Sequence, residues 1–380
     1  MDELRVLIAP NAFKNSLDAS TVAAAIREGL ERSNLDCTCE CFPIGDGGDG
    51  TGVLIIKRKA GVVVEAAVHD PLGRVLSASF GLIDAGETAV IEMANASGLR
   101  LLQPAELNPL RALSVGTGEQ MLFALDKGVS KIVIGMGGSA TVDGGVGILK
   151  ALGCRFLDAD GRELSSLPED LARLAVVDIS GIDKRIFSCE VVVLCDVDNL
   201  LLGAYGAAAV FGPQKGARPA DVLLLDAGLE RLAEVALLQT GKDITSLLYG
   251  GTAGGGAAGL YAFLNAKLVN GIEYFLQLTG FDAALERADI VITGEGSIDE
   301  QTLQGKGPFG VARRAKERGL PVIAVAGKVP LVRDMGLQKY FDVLMAIGHE
   351  PFDLATALGC ARENLVRMGW EVGNLLAMAF

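Results

Sequence analysis

This chain of 380 residues has a net charge of −13 and a pI near 4.8, with the acidity spread along its length. That excludes broad nucleic-acid binding, which needs a basic face. Half the residues are hydrophobic and 49 are glycine, so a large core is available alongside many tight turns, the profile of a two-domain α/β enzyme and not of a disordered chain. Among the seven cysteines, Cys37, Cys39 and Cys41 alternate along a strand-like run. No second Cys/His cluster completes a metal site with them, and they read as buried thiols in a reducing cytoplasm. The charged N-terminus enters a strand directly, and the longest apolar run, 200–212, is too short to span a bilayer; neither signal peptide nor membrane anchor is expected.

Taken in order, 5–9 reads as a strand, followed by a loop carrying Asn11, Lys14 and Ser16 and then a helix capped by Asp18 or Ser20. The strand 37–44 runs into Gly45-Asp46-Gly47-Gly48-Asp49-Gly50-Thr51. Glycines around two aspartates suit close backbone approach to a phosphate or Mg²⁺; the plainer reading is a tight turn whose aspartates cap helix 52–59. The texture then changes. Segments 62–68, 75–83 and 88–92, joined by Asp70-Pro71-Leu72-Gly73 and Asp84-Ala85-Gly86, read as an antiparallel meander, which puts a domain boundary near residue 60.

Strand 131–134 feeds a loop, 135–145, that contains Gly137, Gly138, Ser139, Thr141 and Asp143. Strand 191–194 ends at Asp196, where desolvation is expected to raise the carboxyl pKa and make it a base or a metal ligand. Lys215 stands in Phe211-Gly212-Pro213-Gln214-Lys215-Gly216-Ala217, and 250–259, dense in glycine and alanine, suits either a phosphate cradle or a close-packed helix start. From Asp289 the βαβ style returns: a buried strand, 290–293, gives way to a tight turn at Gly294 and Gly296, with Glu295, Asp299 and Lys306 in the same segment and helix 308–317 directly behind. One helix is expected over 354–376.

The shared chemistry of these loops is anion handling. Asp46, Asp49, Asp143, Asp196, Asp198, Glu295 and Asp299 are candidates for Mg²⁺; Lys14, Lys215 and Lys306 suit phosphates or a substrate carboxylate. The chain carries no P-loop, kinase or nucleophile-elbow signature, and His69 and His349 lie outside the Gly-rich loops. A nicotinamide dehydrogenase is disfavoured for want of a Gly-x-Gly-x-x-Gly with its ribose-binding acid. A non-catalytic sensor of an organic acid or nucleotide would not need so many acids.

The segments 8–17 (Ile-Ala-Pro-Asn-Ala-Phe-Lys-Asn-Ser-Leu), 45–51, 70–74 (Asp-Pro-Leu-Gly-Arg), 92–94 (Glu-Met-Ala), 97–99 (Ser-Gly-Leu), 137–145, 195–199, 211–217 and 294–302 together resemble the type I glycerate kinases, over nearly the whole chain and in the same order. Departures fall at Asn11 to Asn15, at Ser297, where the family commonly has a basic residue, at Leu200 or Leu201, and in 250–259. The resemblance implies two α/β domains, one a Rossmann-like (flavodoxin-like) parallel sheet and one an inserted mixed sheet. Their expected extents are 1–60 plus 286–380 and 61–285, with the active site in the cleft between them. It implies phosphorylation of D-glycerate to 2-phospho-D-glycerate by ATP with Mg²⁺, in the cytoplasm, with no nucleic-acid or membrane partner and with a homodimer left open. A kinase for a related small hydroxy acid is the nearest alternative. The expected roles are Asp196 as base, Lys14 and Lys306 as catalytic cations, and Glu295 and Asp299 as metal ligands. Asn11, Ser16, Asp46, Gly47, Gly48, Gly137, Gly138, Ser139, Thr141, Asp143, Lys215, Gly294 and Gly296 are expected to bind substrate and nucleotide.

Overall fold

The computed structural model describes residues 3–332, 335–351 and 353–378. Its strands, in chain order, are β1 (Leu4–Ile8), β2 (Cys37–Cys41), β3 (Val62–His69), β4 (Val75–Ile83), β5 (Thr88–Glu92), β6 (Lys131–Gly135) and β7 (Arg155–Leu157). They continue with β8 (Val176–Asp178), β9 (Glu190–Cys195), β10 (Lys267–Asn270), β11 (Ile290–Ser297), β12 (Val322–Lys328) and β13 (Val343–Ala346). The fold is α/β, and the chain divides into two compact units, Met1–Asp46 with Ile272–Phe380, and Gly47–Gly271.

The first unit holds a five-stranded sheet in the order β13-β12-β11-β1-β2, parallel throughout. Strands of such a sheet must be apolar on both faces. On one face Val6, Ile8, Ile290, Ile292, Ile323 and Val325 are buried beneath helices Ala19–Glu31 and Ala361–Ala377. Helix Gly307–Glu317 packs on β11 and β12 with Val311, Ala312 and Ala315 buried. Asp18, and not Ser20, caps the first helix, its carboxylate accepting from Thr21 N at 2.9 Å. Numbered within this unit the strand order is 2-1-3-4-5, so the sheet reverses direction between β1 and β11. The carboxyl ends at such a switch point form the crevice where doubly wound sheets bind ligands.

The second unit holds a six-stranded mixed sheet, β10-β9-β6-β5-β4-β3. β10, β9, β6 and β5 run parallel, and β5-β4-β3 form the antiparallel meander. β7 and β8 make a separate hairpin. The core lies on the face where Ala66, Phe80, Ile91, Ile134 and Val193 meet buried residues of helix Val115–Asp126, such as Met121.

Three local expectations change. Residues 47–60 belong to the second unit, because helix Thr51–Arg58 packs on β4 and β5. Gly294 and Gly296 are not a turn: β11 stays extended and paired with β12 through Ser297. Gly294 is small because a Cβ there would overlap the Val325 carbonyl on the neighbouring strand. The last helix is two, Leu354–Gly359 and Ala361–Ala377, meeting at Cys360.

Helices Ala19–Glu31 and Ala361–Ala377 touch backbone to backbone at Gly29 and Gly369, and a Cβ on Gly29 would overlap the Val366 carbonyl. Gly29→Ala is therefore expected to destabilise the protein by about 2 kcal/mol through overpacking, read as a shift in urea midpoint; an unchanged midpoint would show that the helices can separate freely.

Candidate functional site

In the first unit, the residues after β1 and the end of β11 come together at the switch point. Asn11 N donates to the Gly294 carbonyl at 2.8 Å, and Thr293 Oγ1 to the Ala9 carbonyl at 2.7 Å, which locks the two strand ends. Asn11 Nδ2 donates to Asp46 Oδ2 at 2.7 Å while its Oδ1 accepts from Ala12 N. Lys14 is exposed, and Asn15 after it adopts a φ of 65°, a left-handed turn that asparagine tolerates better than most residues. Ser16 is committed to the fold: its hydroxyl donates to the Leu358 carbonyl at 2.7 Å, so it anchors the loop.

Glu295, half-buried on β11, accepts from Thr302 Oγ1 at 3.0 Å. Burial pushes its carboxyl up to about 7, with Lys306 and Thr302 opposing and the Asp46 and Asp299 carboxylates adding to the rise. This is a place with surplus negative charge. Among the described residues no group of three or more His, Cys, Asp or Glu forms a complete metal cage. Mg²⁺ does not need one, since it is usually held by one or two carboxylates and substrate phosphates. Glu295 and Asp299 fit that pattern. Lys306 stands at the N-cap of helix Gly307–Glu317. Lys328, paired in register with Ser297 on β12, is a cation beside the position where the sequence lacks one; nothing in its local sequence marked it.

In the second unit, the carboxyl ends of β5, β6 and β9 carry the remaining candidates. The two Gly-rich loops lie against each other: Gly137 N donates to the Gly47 carbonyl at 3.1 Å, and a Cβ on Gly137 would overlap Gly48. Gly47 and Gly138 have φ of 98° and 69°, so these loops depend on glycine for their turn as well as for the close approach. Asp143 is wholly buried. Its carboxylate accepts from Ser114 N (2.9 Å), Ser114 Oγ (2.6 Å), Gly145 N (3.0 Å) and Gly147 N (3.1 Å). Contrary to the expectation of ligand binding, it holds its own loop in shape.

Lys215, 2% exposed, donates to Ser139 Oγ at 2.9 Å and to the Thr141 carbonyl at 2.7 Å. Burial pulls its ammonium down to about 7, against the opposing charges of Asp143 and Asp196. Thr141 Oγ1 is buried with no hydrogen-bond partner, a donor and acceptor kept in reserve beside this lysine. The segment 250–259 is the close-packed alternative. Gly254 O accepts from Gly144 N, and the backbones of Gly254 and Gly259 press on Thr141 and Gly144. Asp196 departs from expectation. It follows the buried β9 but is itself exposed. Sequence reading also passed over Glu92 as a site residue; it ends β5, is 5% exposed, and accepts from Gly52 N at 2.8 Å.

Lys215 makes stability pH-dependent. Its ordinary pKa is 10.5 and its folded value about 7, so between these the unfolded chain holds a proton that the native state lacks. Stability from this group therefore rises with pH from about 7 towards 10, by at most roughly 1.4 kcal/mol per unit, and is lowest below 7, where the native state carries a buried charge. Urea denaturation of the wild type and Lys215→Met at pH 7 and 9.5 checks this: the variant is expected to lose that rise. Equal slopes would mean that the ammonium remains charged in the fold.

The family model for the glycerate kinase family matches residues 6–377. A glycerate kinase from Haemophilus influenzae is 41% identical over 377 residues, covering 99% of this chain and 100% of that protein. A glycerate 2-kinase from Escherichia coli K12 is 41% identical over 379 residues, covering 99% and 98%. A solved structure named for glycerate kinase 2, from Salmonella typhimurium LT2, superposes with a TM-score of 0.83 at 42% identity, covering 100% of this chain and 99% of that one. With this match end to end, and with acid- and lysine-bearing loops at the strand ends of both sheets, the chain belongs to the glycerate kinase family and is a kinase.

Proposed function

We propose that this enzyme transfers the γ-phosphoryl group of ATP to the 2-hydroxyl of D-glycerate, giving 2-phospho-D-glycerate. The observation that carries this reading is that each unit, taken by itself, holds charged groups in the loops at its strand ends. One unit gathers Glu295, Asp299, Asp46 and Lys306, and the other buries Lys215 beside Ser139 and Thr141. Phosphoryl transfer needs this mixture of metal-holding acids and anion-holding cations, because its catalysis is mainly positioning and charge neutralisation.

In this mechanism the turns at Gly47–Gly48 and Gly137–Gly138 let phosphate oxygens approach the backbone closely. Lys215, with the hydroxyls of Ser139 and Thr141, receives the substrate carboxylate, which supplies the counter-charge that the buried ammonium lacks. Glu295 and Asp299 would hold Mg²⁺, whose contribution when bound is to neutralise charge on the phosphates. Lys14 and Lys306 neutralise the transferring group. The substrate hydroxyl oxygen forms a bond to the γ-phosphorus as the β–γ bridging bond breaks, ADP leaves with that electron pair, and Asp196 accepts the hydroxyl proton. The free thiols of all seven cysteines support a cytoplasmic setting. No helix among the described residues is long and apolar enough to cross a membrane.

Incubation with D-glycerate and MgATP, read by phosphorus NMR, is expected to give 2-phosphoglycerate. 3-Phosphoglycerate would keep the kinase and change the substrate pose, while turnover only on another hydroxy acid would move the specificity reading to Ser297 and Lys328. Asp196→Asn is expected to lower kcat by about 10²–10⁴-fold with KM values changed only slightly; an unchanged kcat would remove Asp196 as the base.

A further inference from the structure

We propose that the cleft between helix Thr51–Arg58 and the outer face of the β3-β4-β5 meander seats an adenine-type base, the nucleoside end of the phosphoryl donor, with Glu92 reading its exocyclic amine. The inference rests on the nucleotide donor of the preceding reading and adds a site to it.

The helix covers only part of this face. Ile56 packs closely over Gly81 and Gly61, and beyond it a cavity of about 280 Å³ opens, lined by Val53, Ile56, Val63, Ser79, Val90 and Glu92. Val53 and Val63 are each 58% exposed. Two aliphatic side chains open to water beside a cleft of this size offer apolar contact to the faces of a flat heterocycle.

The polar groups of the floor are mostly spent. The Ser79 carbonyl accepts from both Asn95 Nδ2 and Gln120 Nε2 at 3.0 Å. Arg100 bridges Asn95 and Asp49, reaching Asp49 Oδ1 at 3.2 Å. Glu92 is different. Its carboxylate takes the Gly52 amide at 2.8 Å and that of Gly50, whereas a carboxylate offers about four acceptor positions. A side chain on Gly52 would collide with Glu92 Cγ, so the glycine is what admits the acid to this position. The result is a buried acceptor at the inner end of an apolar slot.

The slot also adjoins the turns assigned to phosphates. The chain passes from helix Thr51–Arg58 back through Gly50 and Asp49 to Gly47, whose carbonyl accepts from Gly137 N at 3.1 Å. The Asp49 side chain lies beside Gly138. A nucleotide with its base in the slot would extend its phosphates towards these turns.

The chemistry is selective. The 6-amino group of adenine donates to a carboxylate, while guanine presents a carbonyl at the same edge and sets acceptor against acceptor. Glutamine at this position carries both a donor and an acceptor, so it would accept either base.

The test uses the full-length enzyme: steady-state kinetics with ATP, GTP and D-glycerate, and calorimetric titration with ADP. Val63→Trp and Ser79→Leu fill the slot from the rim and from the floor. Each is expected to raise the KM for ATP and the Kd for ADP about tenfold, with the KM for D-glycerate within about twofold. Glu92→Gln is expected to lower the preference for ATP over GTP by about tenfold. Unchanged ADP binding in both filling variants, or an unchanged base preference in Glu92→Gln, overturns the proposal. A wild-type enzyme that phosphorylates D-glycerate from neither ATP nor GTP overturns the donor reading itself and takes this site with it. An active wild type with unaffected variants overturns the base site alone.

Discussion

A carboxylate with no access to water must have its acceptors filled from within the protein, and Asp143 shows how far that requirement organises the second unit. Its oxygens draw in both donors of Ser114 and the amides of Gly145 and Gly147. Losing any partner would leave a buried charge short of a hydrogen bond, which is among the more expensive defects a fold can carry. The loop after β6 is therefore held as one piece, with Gly254 and Gly259 packed against its backbone. That piece places the Thr141 carbonyl and the Ser139 hydroxyl where Lys215 can donate to both. The lysine is buried because the loop is rigid, and its depressed pKa follows from that burial.

The first unit meets the same physical problem differently. Its acids Glu295, Asp46 and Asp299 influence one another at the end of a parallel sheet. Glu295 sits under the influence of Asp46 and Asp299, with Lys306 as a partial counter-charge. In the second unit the buried carboxylate of Asp143 has its acceptors filled by the fold, so its loop is preorganised. In the first unit negative charge is left in excess, which suits a site that is completed by a cation and a phosphate arriving together. Both arrangements lie at carboxyl ends of parallel strands, where α/β sheets bind their ligands.

Much of this was legible in the residues. The change from βαβ to meander near residue 60 is written in turn pairs such as Asp70-Pro71 and Asp84-Ala85-Gly86, because a short polar turn permits only an antiparallel return. The Gly-rich loops were legible as loops. What they do with their polar groups was not. Asp143 and Asp196 look alike in sequence, each in a loop that follows an apolar strand. One is sealed inside by Ser114, a residue distant in the chain, and the other is carried into solvent. Gly294 was read as a turn because glycine after a β-branched run usually is one. Its true reason is the carbonyl of Val325 across the sheet, a contact with no local trace. Glu92 was hidden for the same cause: its burial depends on a glycine forty positions earlier in the chain, Gly52.

The exposure of Asp196 bears on how much base catalysis this reaction demands. A buried, desolvated carboxyl would be a stronger base. Phosphoryl transfer asks for less. In its loose transition state the bond to the leaving oxygen is largely broken before the bond to the nucleophile is formed, so the attacking hydroxyl need not be deprotonated in advance. A carboxylate that orients the hydroxyl and receives its proton late is sufficient, and it can remain in contact with water until substrate covers it. The electrostatic coupling of Asp196 to Lys215 then carries weight. The Asp196 charge favours the protonated form of Lys215, so it helps the buried lysine present a cation to an anion.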